Sequence, residues 1–135
     1  MTITLKGRCI SKGYAEGEAL VCRQPIGLNF GVDFETGVIT EYNHELCGKS
    51  IKDKILIFPH GKGSTGGSYV VYQLAKNKTG PKAMINLTTE TIIAVGAIMA
   101  GVPVMDHLEK DPFDVISDGD HVIVDAVEGI VTIDK

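Results

Sequence analysis

Ile55-Leu56-Ile57-Phe58-Pro59-His60-Gly61-Lys62-Gly63-Ser64-Thr65-Gly66-Gly67-Ser68-Tyr69 begins as an unbroken apolar run and ends as the start of a helix. An apolar run without alternation, Ile55 to Phe58, closed by Pro59, predicts a strand covered on both faces. From Ser64 onward the spacing of Tyr69, Val70, Gln73 and Leu74 predicts a helix that reaches about Asn77 and stops before Gly80-Pro81. The pattern then repeats. Ala83 to Leu87 reads as a second strand, and Thr88 or Thr89 can cap a helix running through Ile92, Ile93 and Ile98 to Gly101, with Pro103 beyond it.

On either side of this βαβα centre the chain is β-rich. Thr2 to Ile10 alternates polar and apolar residues, and Glu18 to Cys22 follows the glycines at 13 and 17, so two strands open the chain. Gln24 to Gly31 reads as a loop, and Glu35-Thr36-Gly37 turns into a short strand at Val38-Ile39-Thr40. The tail reads as a turn at Asp118-Gly119-Asp120, a strand from His121 to Asp125, a turn at Glu128-Gly129 and a last strand from Ile130 to Ile133. That order predicts one mixed α/β domain over residues 1–135: a central sheet with parallel strands, helices packed on it, and a second β-layer made by the two ends. Neither a linker nor a solenoid repeat is visible.

Composition narrows the function classes. The 135 residues are 44% apolar and 22% charged with a formal net charge of −4, and the basic residues are scattered singly, which argues against nucleic acid as a partner. The first residues do not form a signal peptide, and the apolar stretch from Ile92 to Val104 is broken by Gly96, Gly101 and Pro103, so no membrane span is expected and the reading is cytoplasmic. Cys9, Cys22 and Cys47 are odd in number and far apart, which fits a reducing compartment. They are expected to be small buried hydrophobes rather than ligands of an iron–sulfur cluster, and no metal site is expected on this chain.

The chemistry is expected in the loop between the first predicted strand–helix pair. Glycines let backbone approach a ligand closely, and free amides at a helix start stabilise negative charge. A nucleotide phosphate loop needs Gly-Lys followed by Ser or Thr, whereas Gly63 follows Lys62. A hydrolase nucleophile elbow needs Gly-x-Ser-x-Gly, and here the glycines are offset by one. What remains is Ser64 at a helix N-terminus near Lys62: either a base whose alkoxide is stabilised by amides and a cation, or simply a helix cap.

Several ordered motifs then carry a resemblance over nearly the whole chain. They are Gly7-Arg8, Gly13-Tyr14-Ala15-Glu16-Gly17-Glu18-Ala19-Leu20, Asn29-Phe30-Gly31-Val32-Asp33, Thr36-Gly37-Val38-Ile39, His44, Gly48-Lys49-Ser50-Ile51, Gly61-Lys62-Gly63-Ser64-Thr65 with Ser68, Thr91-Ile92-Ile93-Ala94-Val95-Gly96-Ala97-Ile98 and Gly101-Val102-Pro103-Val104. With these the chain resembles the small subunits of the aconitase X family, and within it the archaeal branch that acts on mevalonate 5-phosphate. The resemblance implies the swivelling β/β/α domain that is the mobile domain of one-chain aconitases. It implies a hydro-lyase, active only as a heterodimer with a large aconitase X-type subunit that carries the iron–sulfur cluster. It implies dehydration of mevalonate 5-phosphate to trans-anhydromevalonate 5-phosphate in isoprenoid biosynthesis, with Ser64 as proton acceptor and Lys62, Gly63 and Thr65 lining the substrate.

Other readings stay open. One is the small subunit of a cis-3-hydroxy-L-proline dehydratase; another is a swivelling phosphocarrier in which His60 takes the phosphoryl group; a third is a non-catalytic module that closes a partner's cleft. His44, His107 and His121 lack metal-ligand spacing and read as surface or packing histidines. Asn29, Gly31 and Asp33 form a polar loop that either approaches the site or is a plain turn. Asp106, Glu109 and Asp111 read as a solvated acidic stretch.

Overall fold

In a computed structural model the chain is built from eight strands and three helices among the described residues, which are 2–26, 32–33, 35–41, 44–61 and 66–135, with backbone alone at 66–69. In chain order these are β1 (Thr2–Lys6), β2 (Arg8–Ser11), β3 (Tyr14–Val21), β4 (Ile55–Ile57), α1 (Gly66–Lys76), β5 (Ala83–Ile85), α2 (Thr91–Ala100), β6 (Val104–Asp106), α3 (Pro112–Val115), β7 (His121–Asp125) and β8 (Ile130–Asp134).

The strands run β1-β8-β7-β3-β4-β5-β6-β2. β3 is long enough to belong to both halves. Its first residues pair antiparallel with β7, while Ala19, Leu20 and Val21 pair parallel with β4. β4, β5 and β6 continue in parallel, and β2 closes that edge antiparallel to β6. The other half is an antiparallel layer of β1, β8, β7 and β3.

Strand pleating explains the apolar run. Alternate residues of a strand point to opposite faces, and both faces of β4 are covered. Ile55 and Ile57, with Ala83, Ile85 and Met105, pack on Leu5, Val122, Val124, Val131 and Ile133 of the antiparallel layer. Leu56, with Phe58, Met84 and Val104, packs on Val70, Val71 and Leu74 of α1 and Ile93 and Ala97 of α2. The three layers are therefore β, β and α, with the parallel sheet in the middle, as the resemblance implied.

Some boundaries differ from expectation. The alternating run Thr2 to Ile10 is not one strand: Gly7 interrupts it, and its two pieces join opposite edges of the sheet. Val38 and Ile39 make only isolated bridges, to Ser50 and Val32. β6 and α3 were not foreseen; α3 starts with Asp111 accepting the Phe113 amide at 2.9 Å and Pro112 in its first turn. α2 is capped by Glu90, whose side chain makes no capping bond, rather than by Thr88 or Thr89.

Candidate active site

The carboxyl ends of parallel strands are where α/β folds gather ligands, and here those ends are held by a continuous set of hydrogen bonds. The exit of β4 is fixed on both sides. The Cys22 amide donates to the Ile57 carbonyl at 2.8 Å, and Gly61 bridges in parallel to Ile26. On the other side the fully buried Asn86 donates from Nδ2 to the Phe58 carbonyl at 3.0 Å, and the Leu87 amide donates to Pro59. The backbone leaves β4 in one direction only, up to Gly61.

The residues expected to carry the chemistry, Lys62, Gly63, Ser64 and Thr65, lie outside the described residues, as do Asn29 and Gly31. The frame on both sides of 62–65 is described: Gly61 is buried against Ile93, and α1 begins at Gly66. Asp33 behaves as a turn residue, its carboxylate accepting the Glu35 amide at 2.9 Å.

His60 lies at the mouth of this frame, its side chain 48% exposed. Nδ1 is 2.7 Å from the Gly61 carbonyl and 3.3 Å from the Glu90 carboxylate. Both neighbours are acceptors, so Nδ1 carries the hydrogen. This also explains the missing cap on α2, since Glu90 faces His60 instead of its own helix.

Asp106 corrects the sequence reading. It is fully buried at the end of β6, while Glu109 and Asp111 are exposed as expected. Its two oxygens each accept from the Arg8 guanidinium at 2.8 Å, and one also takes the Thr89 amide at 2.7 Å. Burial acts to raise this carboxyl, but the bonds from Arg8 and Thr89 and the Arg8 charge outweigh it and hold the group below its ordinary value. Asp106 thereby ties edge strand β2 and the start of α2 to β6. No local pattern exposes such a residue, because its partner is 98 positions away.

The cysteines do not fit a cluster. Cys22 is buried and donates to the Gln24 carbonyl; burial, with the nearby Glu45 and Glu41 charges, pushes its thiol up to about 12. Cys9 and Cys47 are exposed, so the expectation of buried cysteines holds only for Cys22. Among the described residues no group of three metal-ligating side chains converges. His44 is a packing histidine: Nδ1 accepts the Leu46 amide at 3.1 Å, and Nε2 lies 3.2 Å from the Pro25 carbonyl. No helix among the described residues is long and apolar enough to cross a membrane.

Comparison with known proteins agrees with this architecture. The family model for the aconitase X swivel domain matches residues 4–133. A chain of Methanosarcina mazei called phosphomevalonate dehydratase small subunit is 56% identical over 98% of this chain and 92% of its own length. The chain of the same name from Methanosarcina acetivorans is also 56% identical, with the same coverage. The name implies, for those proteins, a larger companion chain. The crystal structure of Thermococcus kodakaraensis aconitase X, in its holo-form, contains a chain that superposes with a TM-score of 0.92 at 47% identity, covering 98% of this chain and 99% of that one. A layered β/β/α frame and similarity over nearly the full length together place this chain in the aconitase X swivel-domain family.

Proposed function

We propose that this chain is the small subunit of a hydro-lyase that converts mevalonate 5-phosphate to trans-anhydromevalonate 5-phosphate, on the mevalonate route to isoprenoids in an archaeal cytoplasm. The observation that carries the reading is 56% identity across 98% of the chain to a protein called phosphomevalonate dehydratase small subunit. Residues 1–135 act in this reading as one swivelling unit that closes on a large aconitase X-type subunit. The iron–sulfur cluster belongs to that partner, since the thiols described here do not suit one.

Ser64 is the proton acceptor. A proton next to a carboxylate is weakly acidic, so its removal needs a strong base, and a serine oxygen qualifies only where amides and a cation stabilise its charge. The C2–H bond of the substrate breaks, the proton passes to Ser64 Oγ, the electron pair forms the C2–C3 double bond, and the hydroxyl leaves C3 on the partner's side. Gly63 and Thr65 line the substrate, and Lys62 supplies positive charge beside Ser64. The named relatives do not favour the cis-3-hydroxy-L-proline or phosphocarrier alternatives.

The test is Ser64→Ala in the copurified two-subunit complex, assayed without oxygen. Turnover of mevalonate 5-phosphate should fall by about 10²–10⁴, the usual scale for a lost general base, with the complex still assembled. Full activity in the variant removes Ser64 from the mechanism. Water loss from cis-3-hydroxy-L-proline, with none from mevalonate 5-phosphate, overturns the substrate.

A further inference from the structure

α2 is apolar on more sides than one core can use. From Ile92 to Ala100 it holds no charged or polar side chain. Ile93, Gly96 and Ala97 are buried on the side of the β/α core. Val95, Ile98 and Met99 form a second stripe at the spacing of one helical face, and Ile98 and Met99 are 60% and 63% exposed. A helix that is apolar all round is a helix that is buried all round. Tyr72 of α1, also exposed, widens the stripe across a groove that it lines with Ala75, Lys76, Met99 and Ala100. On the other flank of α2, Ile98 borders a second groove with Ile10, Ser11 and Lys12.

Charge decides what kind of surface can cover this stripe. The charged residues lining the two grooves are both cations, Lys76 and Lys12. Beyond Lys76 the fold gathers lysines that stand singly in the sequence. Residues 46–89 hold seven lysines and one carboxylate, Asp53, a local balance of +6 in a chain of −4. Lys78 closes the turn after α1, its amide donating to the Ala75 carbonyl at 3.1 Å. Lys52 lies beside the Thr79 carbonyl, since a Cβ on Gly37 would meet both. Lys54 is matched by Glu18 at 3.0 Å, whereas Lys52, Lys76 and Lys78 are exposed. An apolar centre with a cationic rim complements a protein surface whose apolar patch is rimmed by carboxylates. It does not complement a second copy of itself, because a two-fold contact would set these lysines against one another.

The face also lies away from the catalytic edge. α2 starts beyond the exit of β5 and runs back to Gly101 ahead of β6, so Ile98 and Met99 stand toward the amino ends of the parallel strands. A partner held there leaves the carboxyl edge free to open and close. We propose that the outer face of α2, with Tyr72 and the lysines at the end of α1, anchors this chain to an acidic-rimmed apolar patch of the large subunit. The assignment rests on the small-subunit reading above.

With the two purified subunits, Met99→Asp should weaken binding of this chain to the large subunit by about tenfold or more, the scale of a lost central contact. Lys76→Glu with Lys78→Glu should weaken it too and flatten its dependence on salt, as rim charges do. These side chains are exposed, so Tm of the variants should stay that of wild type; if Met99→Asp fails to fold, Ile98→Gln with Met99→Gln carries the same expectation. The wild-type complex gives an independent readout. Acetylation of Lys76 and Lys78 should slow on assembly, and that of Lys6, on the outer strand of the antiparallel layer, should not. Variants that bind as wild type does, or Lys76 and Lys78 acetylated equally fast in the free chain and the complex, overturn the assignment and leave the dehydratase reading standing. An isolated chain that sediments as a dimer, broken by Met99→Asp, overturns it as well by giving the face to a second copy. Wild-type subunits that assemble and leave mevalonate 5-phosphate unchanged overturn the substrate alone, and subunits that never assemble overturn both.

Discussion

At the scale of single residues, the pH behaviour of the fold is set by carboxylates held below their ordinary range. Asp106 is one, through Arg8 and Thr89; Asp120 is another, through Lys135 at 2.8 Å and the Ser117 amide at 2.9 Å. A carboxyl whose folded pKa lies below its unfolded value, about 3.9 for Asp, contributes stability that is complete above that value. The contribution is lost as pH falls through the folded pKa. Thermal melts followed by circular dichroism should therefore show a steep loss of Tm below about pH 4. Asp106→Asn should lower Tm at pH 7 and flatten that acid loss; an unchanged acid slope would mean that this carboxyl is not its source. The sequence offered no way to find Asp106, since it stands at the head of an acidic stretch with Glu109 and Asp111 and its partner is remote. Ser64 was legible as a candidate for the opposite reason. Its signal is local: glycines and hydroxyls crowded between a buried strand and a helix.

The ends of elements separate the local signals from the tertiary ones. Gly101 closes α2 at φ 72°, its amide directed at the carbonyls of Ala97 and Ile98. Nothing lies within 4 Å of where a Cβ would stand, so Gly101→Ala tests backbone conformation without a clash. The variant should lose about 1–2 kcal/mol, the cost of a left-handed L-residue, with activity of the complex retained; urea denaturation measures it, and an unchanged midpoint would mean that the helix end shifts freely. This stop, like Gly80-Pro81 after α1, was readable because glycine and proline act through their own backbone. The start of α2 was not. The Thr89 hydroxyl donates to Asn86 at 3.2 Å and its amide to Asp106, so neither threonine serves as the cap and Glu90 holds that position. β6 escaped notice because three residues between Pro103 and a run of acids are too short to show a period. The break at Gly7 was hidden because alternation continues across it.

For the whole molecule, the order of elements was legible and the pairing was not. β-rich ends around a βαβα centre predict layers, but only the folded chain shows that β3 serves two sheets and that β2 leaves its sequence neighbour β1 for the opposite edge. The middle sheet is shared by two cores, with Ile55 and Ile57 on one side and Leu56 on the other, all at 0% exposure. Since both cores rest on the same three short strands, neither outer layer has a second sheet to pack on if the middle one is lost. Residues 1–135 should therefore unfold as one cooperative unit. Ile57→Ala opens the β/β core and Leu74→Ala the β/α core, and each should cost about 2–5 kcal/mol. In urea, far-UV circular dichroism and tyrosine fluorescence should report one coincident transition for wild type and both variants, moved to lower denaturant. A transition that splits in Leu74→Ala, with the antiparallel layer surviving the helices, would show that the two cores are thermodynamically separable.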